Sequence, residues 1–221
     1  MANYEADPST LKKYIPAKTE LDNLQGKCFV SLVGFMFLNV KVKGIKIPFH
    51  INFPEVNLRF YVRYKDGNEW KRGVVFINEF VPKPAITFIA NTVFHERYVT
   101  FPMKHKWDMG DNLSIGYYWK KNSWNKLEVV ASNNSFDLIP GSKEEFITEH
   151  YWGYSRVNEK KTGEYHVEHP RWKMYNVEHY NIDCDFKDLY GNDLEFLNSL
   201  QPTSVFLAEG SPISVFTKKI L

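Results

Sequence analysis

The stretch that most constrains this fold is GVVFINEFVPKPAITFIANTVF, residues 73–94, in which two apolar runs flank Pro82-Lys83-Pro84. Proline fixes its own φ and disfavours helical geometry at the residue before it, so the linker cannot continue a helix. Each run has the length of a strand and is apolar on both faces, which is typical of strands buried on both sides. We therefore predict two strands, over residues 73–80 and 85–93, in the most buried part of the chain.

Residues 55–63 show the clearest alternation in the chain, which indicates a strand. A turn signal at residues 65–68 brings this strand back beside residues 73–80. Because 16% of the residues are aromatic, we expect a mainly β, antiparallel fold in which residues 55–63, 73–80 and 85–93 are neighbouring central strands. One face of the first strand carries Val56, Leu58, Phe60 and Val62, and the other carries Glu55, Asn57, Arg59, Tyr61 and Arg63.

Weaker patterns complete the prediction of a single domain over residues 1–221 with a few short helices. Helix-start signals occur at Asp7-Pro8 and at Ser142 with Glu145, and a further helical region is expected within residues 183–199. A lysine-rich hairpin or edge is expected at residues 40–50, and a terminal hairpin joins residues 203–208 to 213–216. The remaining strands are predicted over residues 27–42, 100–107, 114–120, 123–131, 151–157, 164–169 and 171–177.

Charge and composition exclude several classes of protein. The net charge is only +2 and no basic run is present, so we expect no nucleic-acid partner. No signal peptide is recognised, and the longest apolar run, residues 28–42, is too short to span a bilayer. Without a secretory signal, Cys28 and Cys184 are expected to be reduced, buried thiols. We therefore predict a cytoplasmic protein with no membrane association and no cofactor, and leave its oligomeric state open.

Seven stretches spread over nearly the whole chain form a long signature. They read NYEADPSTLKKYIP, KCFVSLVGFMF, FPEVNLRFYVR, RGVVFINEFVPKPAI, FITEHYWGYSR, EYHVEHPRW and FLAEGSPISV. Together they resemble the uncharacterised bacterial family typified by YqjF, which in turn resembles acetoacetate decarboxylase in fold. The resemblance implies a curved, barrel-like sheet with an apolar pocket for a small organic molecule that is apolar or carries a carboxylate.

Three segments, residues 7–16, 54–56 and 79–83, are similar to motifs of acetoacetate decarboxylase itself. This similarity implies that Lys83 is the Schiff-base amine, that Glu55 is an active-site acid, and that Glu79 is the glutamate preceding the lysine. The enzyme has a second lysine next to the reactive one, which lowers the pKa of the first. This chain has Pro84 there instead, and the arginine that the enzyme supplies from its N-terminal segment has no counterpart. Taken alone, Pro-Lys-Pro is also typical of a surface turn with its ammonium group in water.

The surroundings of the other polar candidates are left open by the pattern. If the polar face of residues 55–63 looks into a pocket, Arg59 offers a fork for an anionic ligand, Asn57 lies beside it, and Glu55 offers an acid or base. If that face looks outward, Glu55 and Arg59 form a solvated pair that contributes under ~1 kcal/mol. Glu79 lies within an apolar run, so its carboxyl is either paired with a basic group, the simpler expectation, or held neutral.

Four residues, His150, His166, Glu168 and His169, raise the possibility of a metal site. They lack the spacing of known zinc ligands, and aromatic residues surround them in the sequence. Aromatic packing with hydrogen-bonded histidines is therefore the better interpretation, and we predict no metal.

Two functions follow from these observations. One is the binding of a small organic molecule in an apolar pocket; if this function includes a reaction, it is Schiff-base lyase chemistry with Lys83 as the amine, assisted by Glu55 and Glu79. The alternative is a non-catalytic binding or interaction protein that kept the fold and lost the reaction, which Pro84 favours.

Overall fold

The structure, a computed structural model, describes residues 1–41 and 49–221, and two long strands form its central hairpin. The strands are β1 (Ala2–Ala6), β2 (Thr19–Leu21), β3 (Cys28–Phe37), β4 (Phe53–Asp66), β5 (Glu69–Val81), β6 (Tyr98–Thr100), β7 (Met103–Met109), β8 (Asn112–Lys120), β9 (Trp124–Phe136), β10 (Trp152–Arg156), β11 (Thr162–Glu168), β12 (Met174–Asp183), β13 (Ser204–Val205), β14 (Leu207–Ala208), β15 (Ser214–Val215) and β16 (Lys219–Ile220). The α-helices are α1 (Pro8–Leu11), α2 (Pro84–Ile89), α3 (Lys143–Thr148) and α4 (Phe186–Tyr190). Short 3-10 helices cover Lys12–Tyr14 and Asn192–Ser199, and a π-helical turn covers Ala90–Phe94.

Two sheets make up the fold. Across the larger sheet the order is β13, β1, β3, β4, β5, β10, β11 and β15, with β2 beside β4, β6 beside β5 and β16 beside β11. The smaller sheet has the order β14, β12, β9, β8 and β7. In the described part of the chain, only β10 and β6 run parallel to a neighbour, and in both cases that neighbour is β5. The prediction of a mainly β, antiparallel fold with a curled sheet and a few short helices is confirmed.

Both faces of β4 are largely buried, although apolar and polar residues alternate along it. The apolar face, including Phe60, packs against the smaller sheet at Ile115 and Trp119. The opposite face packs in a second cluster, where the Tyr61 ring meets the Phe146 ring of α3 at a centroid distance of 5.5 Å. From the sequence, the polar face of β4 is expected to line a pocket or to face solvent. Most of it is instead covered by other parts of the protein, including α3.

The predicted helix starts are confirmed. Asp7 caps α1 by accepting from the Ser9 amide (2.7 Å), and Ser142 caps α3 by accepting from the Glu145 amide (3.1 Å). The helical region predicted within residues 183–199 contains α4 and the second 3-10 helix. Both cysteines are free thiols, Cys28 being buried.

The strand predicted over residues 85–93 is wrong, because this segment forms α2 and the π turn. Pro84 occupies the first helical turn, where its missing N–H costs nothing, and Lys83 is the extended residue that precedes the helix. The place beside the end of β5 is taken by β6 instead. As a result the run is not buried as predicted, and Phe88 is 69% exposed.

The terminal hairpin is also wrong. Three short strands near the end of the chain, β13, β14 and β15, pair separately with β1, β12 and β11. Each one extends a different existing edge, since sheet edges offer unpaired backbone groups to any nearby segment. The hairpin predicted at residues 40–50 lies mostly outside the described residues.

Candidate functional site

Strand β5 leaves the middle of one edge open between two partners. β10 pairs with β5 only at Gly73 and Val74, whereas β6 pairs with the last three residues of β5, residues 79–81. Between them the register of β5 against β4 shifts, so Ile77 has no partner of its own on β4. Such bulges bend a strand and are over-represented beside active sites. Residues 95–97, which lead into β6, and Ser155 of β10 border the opening.

Side chains from three adjacent strands meet beside this opening. Asn57 of β4 lies opposite Glu79 of β5, which lies opposite Tyr98 of β6. Glu55 Oε1 accepts from Asn57 Nδ2 (3.0 Å), and Glu55 Oε2 accepts from the Tyr98 hydroxyl (2.9 Å). Glu55 and Asn57 are 1% exposed and Glu79 is 2% exposed. The structure therefore brings three of the predicted site residues together in a buried, hydrogen-bonded group.

A third glutamate, Glu96, is supplied by the connection from β5 to β6. The π turn Ala90–Phe94 ends at His95, whose φ of 54° is left-handed. A π turn is rare, and a left-handed residue other than glycine stores strain that is concentrated at functional sites. Glu96 follows directly, and its carboxyl hydrogen-bonds the Tyr165 hydroxyl of β11. The connection is thus built in a conformation that places one carboxyl against the other two.

Tyr165 reaches this group because its cross-strand partner is a glycine. Tyr165 lies opposite Gly153 of β10, and a Cβ on Gly153 would lie 2.1 Å from the Tyr165 ring. Any larger residue at position 153 would displace the ring from its place beside Glu96. We refer to Glu55, Asn57, Glu79, Glu96, Tyr98 and Tyr165 as the carboxyl cluster.

The three carboxyls of the carboxyl cluster are protonated more readily than ordinary glutamates. Burial raises the pKa of Glu55 to about 7 and that of Glu96 to about 8. Burial also raises the pKa of Glu79 well above its ordinary value, and the neighbouring charges of Glu55 and Glu96 add to the increase. None of the three forms an ion pair within 4.0 Å with any described residue, so the basic partner expected for Glu79 is not among them. Glu79 therefore corresponds to the other alternative, a carboxyl held neutral.

Three buried atoms of the carboxyl cluster lack a hydrogen-bond partner among the described residues. They are Asn57 Oδ1, Glu79 Oε1 and Glu96 Oε1. Most buried polar atoms in proteins are hydrogen-bonded to protein or to ordered water, so each exception requires an explanation. Their concentration in one cluster indicates a place where water or a ligand completes the hydrogen bonding.

Lys218 is a lysine that the structure places against this site. Its ammonium donates to the Ser155 hydroxyl (2.9 Å), to the Phe94 carbonyl and towards His95 Nδ1 (3.3 Å). Burial lowers its pKa, which the charge of Glu96 partly opposes. The hydrogen bonds of Lys218 thereby link the C-terminal segment to the connection that carries Glu96.

Lys83 and Arg59 lie elsewhere. Lys83 is half-buried at the end of β5, and no hydrogen bond or ion pair of its ammonium is found within residues 1–41 and 49–221. Arg59 points to the second core cluster, where its guanidinium donates to the Ile147 carbonyl (3.4 Å) and lies 5.8 Å from the Tyr61 ring centroid. Only the long-range charge of Arg59 reaches the site, where it partly opposes the increase in the pKa of Glu55.

Space at the site is small. The cavity beside Glu96, His95 and Ser155 has a volume of about 10 Å³, which accommodates one water molecule. A larger cleft of about 200 Å³ lies on the outer face of the smaller sheet, between Lys106, Tyr118 and His179. The apolar pocket expected from the resemblance is neither of these two spaces, and Lys83 lines neither of them.

The histidines considered as metal ligands are packed against aromatic rings. His169 stacks on Trp172 with a centroid distance of 4.2 Å, and His166 stacks on Phe216 at 5.3 Å. His150 hydrogen-bonds the Asp22 carboxyl (3.0 Å). Across the described ranges, no group of three histidine, cysteine, aspartate or glutamate side chains has the arrangement of a metal site.

Half of the carboxyl cluster carries no pattern that identifies it in the sequence. Glu96, Tyr98 and Tyr165 enter through the parallel pairing of β6 with β5 and the antiparallel pairing of β11 with β10. The only local signal is the polar segment of residues 95–98, which interrupts an otherwise apolar region.

The fold defines the class of this protein, and comparison with solved structures agrees. Acetoacetate decarboxylase from Legionella pneumophila superposes with a TM-score of 0.57, covering 99% of this chain and 79% of that one at 13% identity. An acetoacetate decarboxylase-like enzyme from Sphingomonas wittichii RW1 gives 0.61, with coverages of 97% and 84% at 11% identity. The enduracididine biosynthesis enzyme MppR gives 0.65, with coverages of 100% and 84% at 9% identity. The protein therefore has an acetoacetate decarboxylase-like fold, and at these identities the likeness concerns the fold alone.

Within that class the family is also clear. Residues 1–212 match the family DUF2071, described as "Uncharacterized conserved protein (COG2071)", and the chain belongs to this family. It is 30% identical over 182 residues to the uncharacterized protein YqjF of Bacillus subtilis (strain 168), which covers 80% of this chain and 72% of YqjF. No helix in the described residues is long and apolar enough to cross a membrane.

Proposed function

We propose that this protein binds a small organic molecule at the carboxyl cluster. The observation that supports this proposal best is the set of three unpartnered buried atoms, on Asn57, Glu79 and Glu96. A purely structural group of this kind is costly, because each buried polar atom without a hydrogen bond destabilises the fold by about 1–3 kcal/mol. A ligand or water that completes the missing hydrogen bonds would remove this cost.

Binding at this site requires movement, since the adjoining cavity holds about one water. The connection of residues 90–97 is the part of the structure suited to move. It contains the π turn and the left-handed His95, and the Lys218 ammonium and Ser155 hydroxyl both bond the Phe94 carbonyl. A ligand that breaks these bonds gains access to Glu96 and Glu79 from the open edge of β5. A structural neighbour, MppR, has been seen complexed with pyruvate, which is compatible with a small ligand in this fold.

Replacing Glu79 by Gln is expected to weaken ligand binding at least tenfold. The amide keeps the shape of the side chain but cannot ionise. It therefore removes the carboxyl whose pKa is raised by burial and by the charges of Glu55 and Glu96. Binding would be measured by ligand-observed NMR and calorimetry with a library of small amines, ketones and keto acids. Glu69→Gln is the matched control, because Glu69 is an exposed residue at the other end of β5. A ligand that binds both variants and the wild type equally well would place the binding site elsewhere.

Schiff-base chemistry is a second, narrower function, and Lys83, Glu55 and Glu79 would carry it. Lys83 follows Glu79 by four residues at the end of the strand that borders the site. Activation of a lysine requires full desolvation or a cationic neighbour. Lys83 is only half-buried, and Pro84 stands where the enzyme has its second lysine. We therefore regard non-covalent binding as the leading function and the lyase reaction as the alternative.

Borohydride trapping separates these two functions. After incubation with acetoacetate and a panel of small ketones, reduction and peptide mass mapping should show adducts spread over exposed lysines, with little decarboxylation. The same experiment on Lys83→Arg is the control and should give the same spread. An adduct confined to Lys83, and lost in Lys83→Arg, would establish the lyase reaction instead.

A further inference from the structure

The charge balance of the carboxyl cluster points to a ligand of opposite charge. We propose that the site takes a small organic cation with an ammonium or amidinium group, an inference that rests on the proposed function. Three carboxyls meet at this site, those of the buried Glu55 and Glu79 and of the half-buried Glu96, and none has an ion-pair partner within 4.0 Å among the described residues. When these carboxyls are ionised, a negative group on a ligand would be repelled there, whereas a cation would be stabilised by them.

The unpartnered amide oxygen of Asn57 is an independent reason. Asn57 is 1% exposed, and its Nδ2 is already used in the hydrogen bond to Glu55. Its Oδ1 can only accept a hydrogen bond, at any pH, so it requires a donor that the described residues do not provide. Glu79 Oε1 and Glu96 Oε1 also lack a partner, and each can only accept a hydrogen bond once its carboxyl is ionised. An ammonium or amidinium group supplies several N–H donors and no acceptor, which matches this set of atoms.

The donors already present at the site are occupied, which disfavours a carboxylate ligand. The Tyr98 hydroxyl donates to Glu55, and the Lys218 ammonium is bonded to Phe94, Ser155 and His95. A carboxylate would therefore have to displace an existing bond, or accept the hydrogen of a protonated glutamate, to find a donor. The proposed cationic ligand differs from the apolar or carboxylate-bearing ligand that the sequence resemblance implies.

The pH dependence of binding has a definite sign under this proposal. A cation binds best to ionised carboxyls, and burial holds the pKa values of Glu55 and Glu96 at about 7 and about 8. Affinity should therefore rise between about pH 6 and 8.5, with protons released on binding. A neutral ligand that accepts a hydrogen bond from a protonated carboxyl would show the opposite trend. Several charged and titratable groups surround the three carboxyls of the cluster. They are Tyr98 on β6, Arg97 on the connection, Tyr165 on β11, Lys218 near the C-terminus and, at longer range, Arg59.

Acetamidinium, acetamide and acetate test the charge directly, because they share one shape and differ in charge. Each would be titrated into the whole protein at pH 6 and 8.5, with binding located by protein NMR. We expect acetamidinium to bind in the millimolar range appropriate to so small a ligand. Its affinity should be at least fivefold higher at pH 8.5, and acetate should not bind. Calorimetry in phosphate and in Tris buffer should show different enthalpies, because protons are released.

Variants and outcomes distinguish the two proposals. Glu79→Gln should lower the affinity for acetamidinium at least tenfold, whereas Glu69→Gln should leave it unchanged. If Glu79→Gln is poorly folded, Glu96→Gln replaces it and should have the same effect. If acetamide or acetate binds at the cluster as tightly as acetamidinium, the binding site stands but its preference for a cation is refuted. If none of the three perturbs the cluster at either pH and an experimental structure shows one water bonded to Asn57 Oδ1, both proposals are refuted.

Discussion

Raising the pH from about 6.5 to 8 is expected to lower the free energy of unfolding by about 2 kcal/mol at constant ionic strength. The folded state holds protons on Glu55, Glu79 and Glu96 in this range, whereas an unfolded chain releases them near pH 4.5. Because the folded state binds more protons than the unfolded state, stability falls as the pH rises through the raised pKa values. The stabilisation is fully present below about pH 4.5 and is lost progressively towards pH 8 and above.

Two other buried groups, His150 and the Met1 amine, make the stability increase with pH. They narrow the pH range in which the decrease caused by the three glutamates can be measured. Burial lowers the pKa of His150 to about 4, so stability increases as the pH rises from about 4 to 6.5. Burial likewise lowers the pKa of the Met1 amine to about 5, and its opposing contribution extends to about pH 8. Above pH 6.5 the three carboxyls outnumber the single amine, which leaves the net decrease of about 2 kcal/mol.

Urea unfolding at several pH values would measure this slope. Glu79→Gln removes one titrating group, so its stability should depend less steeply on pH, by up to about 1.4 kcal/mol per pH unit. Glu69→Gln should keep the slope of the wild type, because Glu69 is exposed. Equal slopes for Glu79→Gln and the wild type would show that Glu79 is ionised in the folded protein at neutral pH.

Replacing Gly73 by Ala is expected to destabilise the protein by about 3 kcal/mol or more. A Cβ at this position of β5 would lie 2.4 Å from the Trp152 carbonyl oxygen and 2.6 Å from the Tyr154 ring. The first of these atoms belongs to the backbone of β10 and cannot rotate away. The two parallel strands would have to separate, and β10 also carries the Ser155 hydroxyl that borders the site.

Gly110→Ala is the matched control for this prediction. Gly110 also lies next to a strand, but its nearest neighbour would be Asp108 Oδ1 at an ordinary 3.6 Å. Urea unfolding should therefore place Gly110→Ala within about 0.5 kcal/mol of the wild type. If Gly73→Ala were equally mild, the contact between β5 and β10 would be looser than the structure indicates.

The helix over residues 84–94 shows where reasoning from local sequence reaches its limit. The same β-branched and aromatic residues suit a buried strand, and Pro82 and Pro84 exclude a helix that runs through both. They permit a helix that begins at Pro84, because the first turn does not need the missing N–H. The choice was made by the parallel pairing of β6 with the end of β5, which occupies the place the run would have taken.

What the sequence determined by itself is the set of elements governed by near neighbours along the chain. The alternation of residues 55–63, the turn that joins β4 to β5, and the caps at Asp7 and Ser142 each depend on a few adjacent residues, and all are present in the structure. Tertiary structure alone decided the site. Glu55 and Glu79 are indicated by their strand patterns and by the resemblance, but Glu96, Tyr98 and Tyr165 join them only through strand pairings between distant segments. Burial and mutual charge then set the pKa values of the glutamates, and both are properties of the assembled sheet rather than of any stretch of sequence.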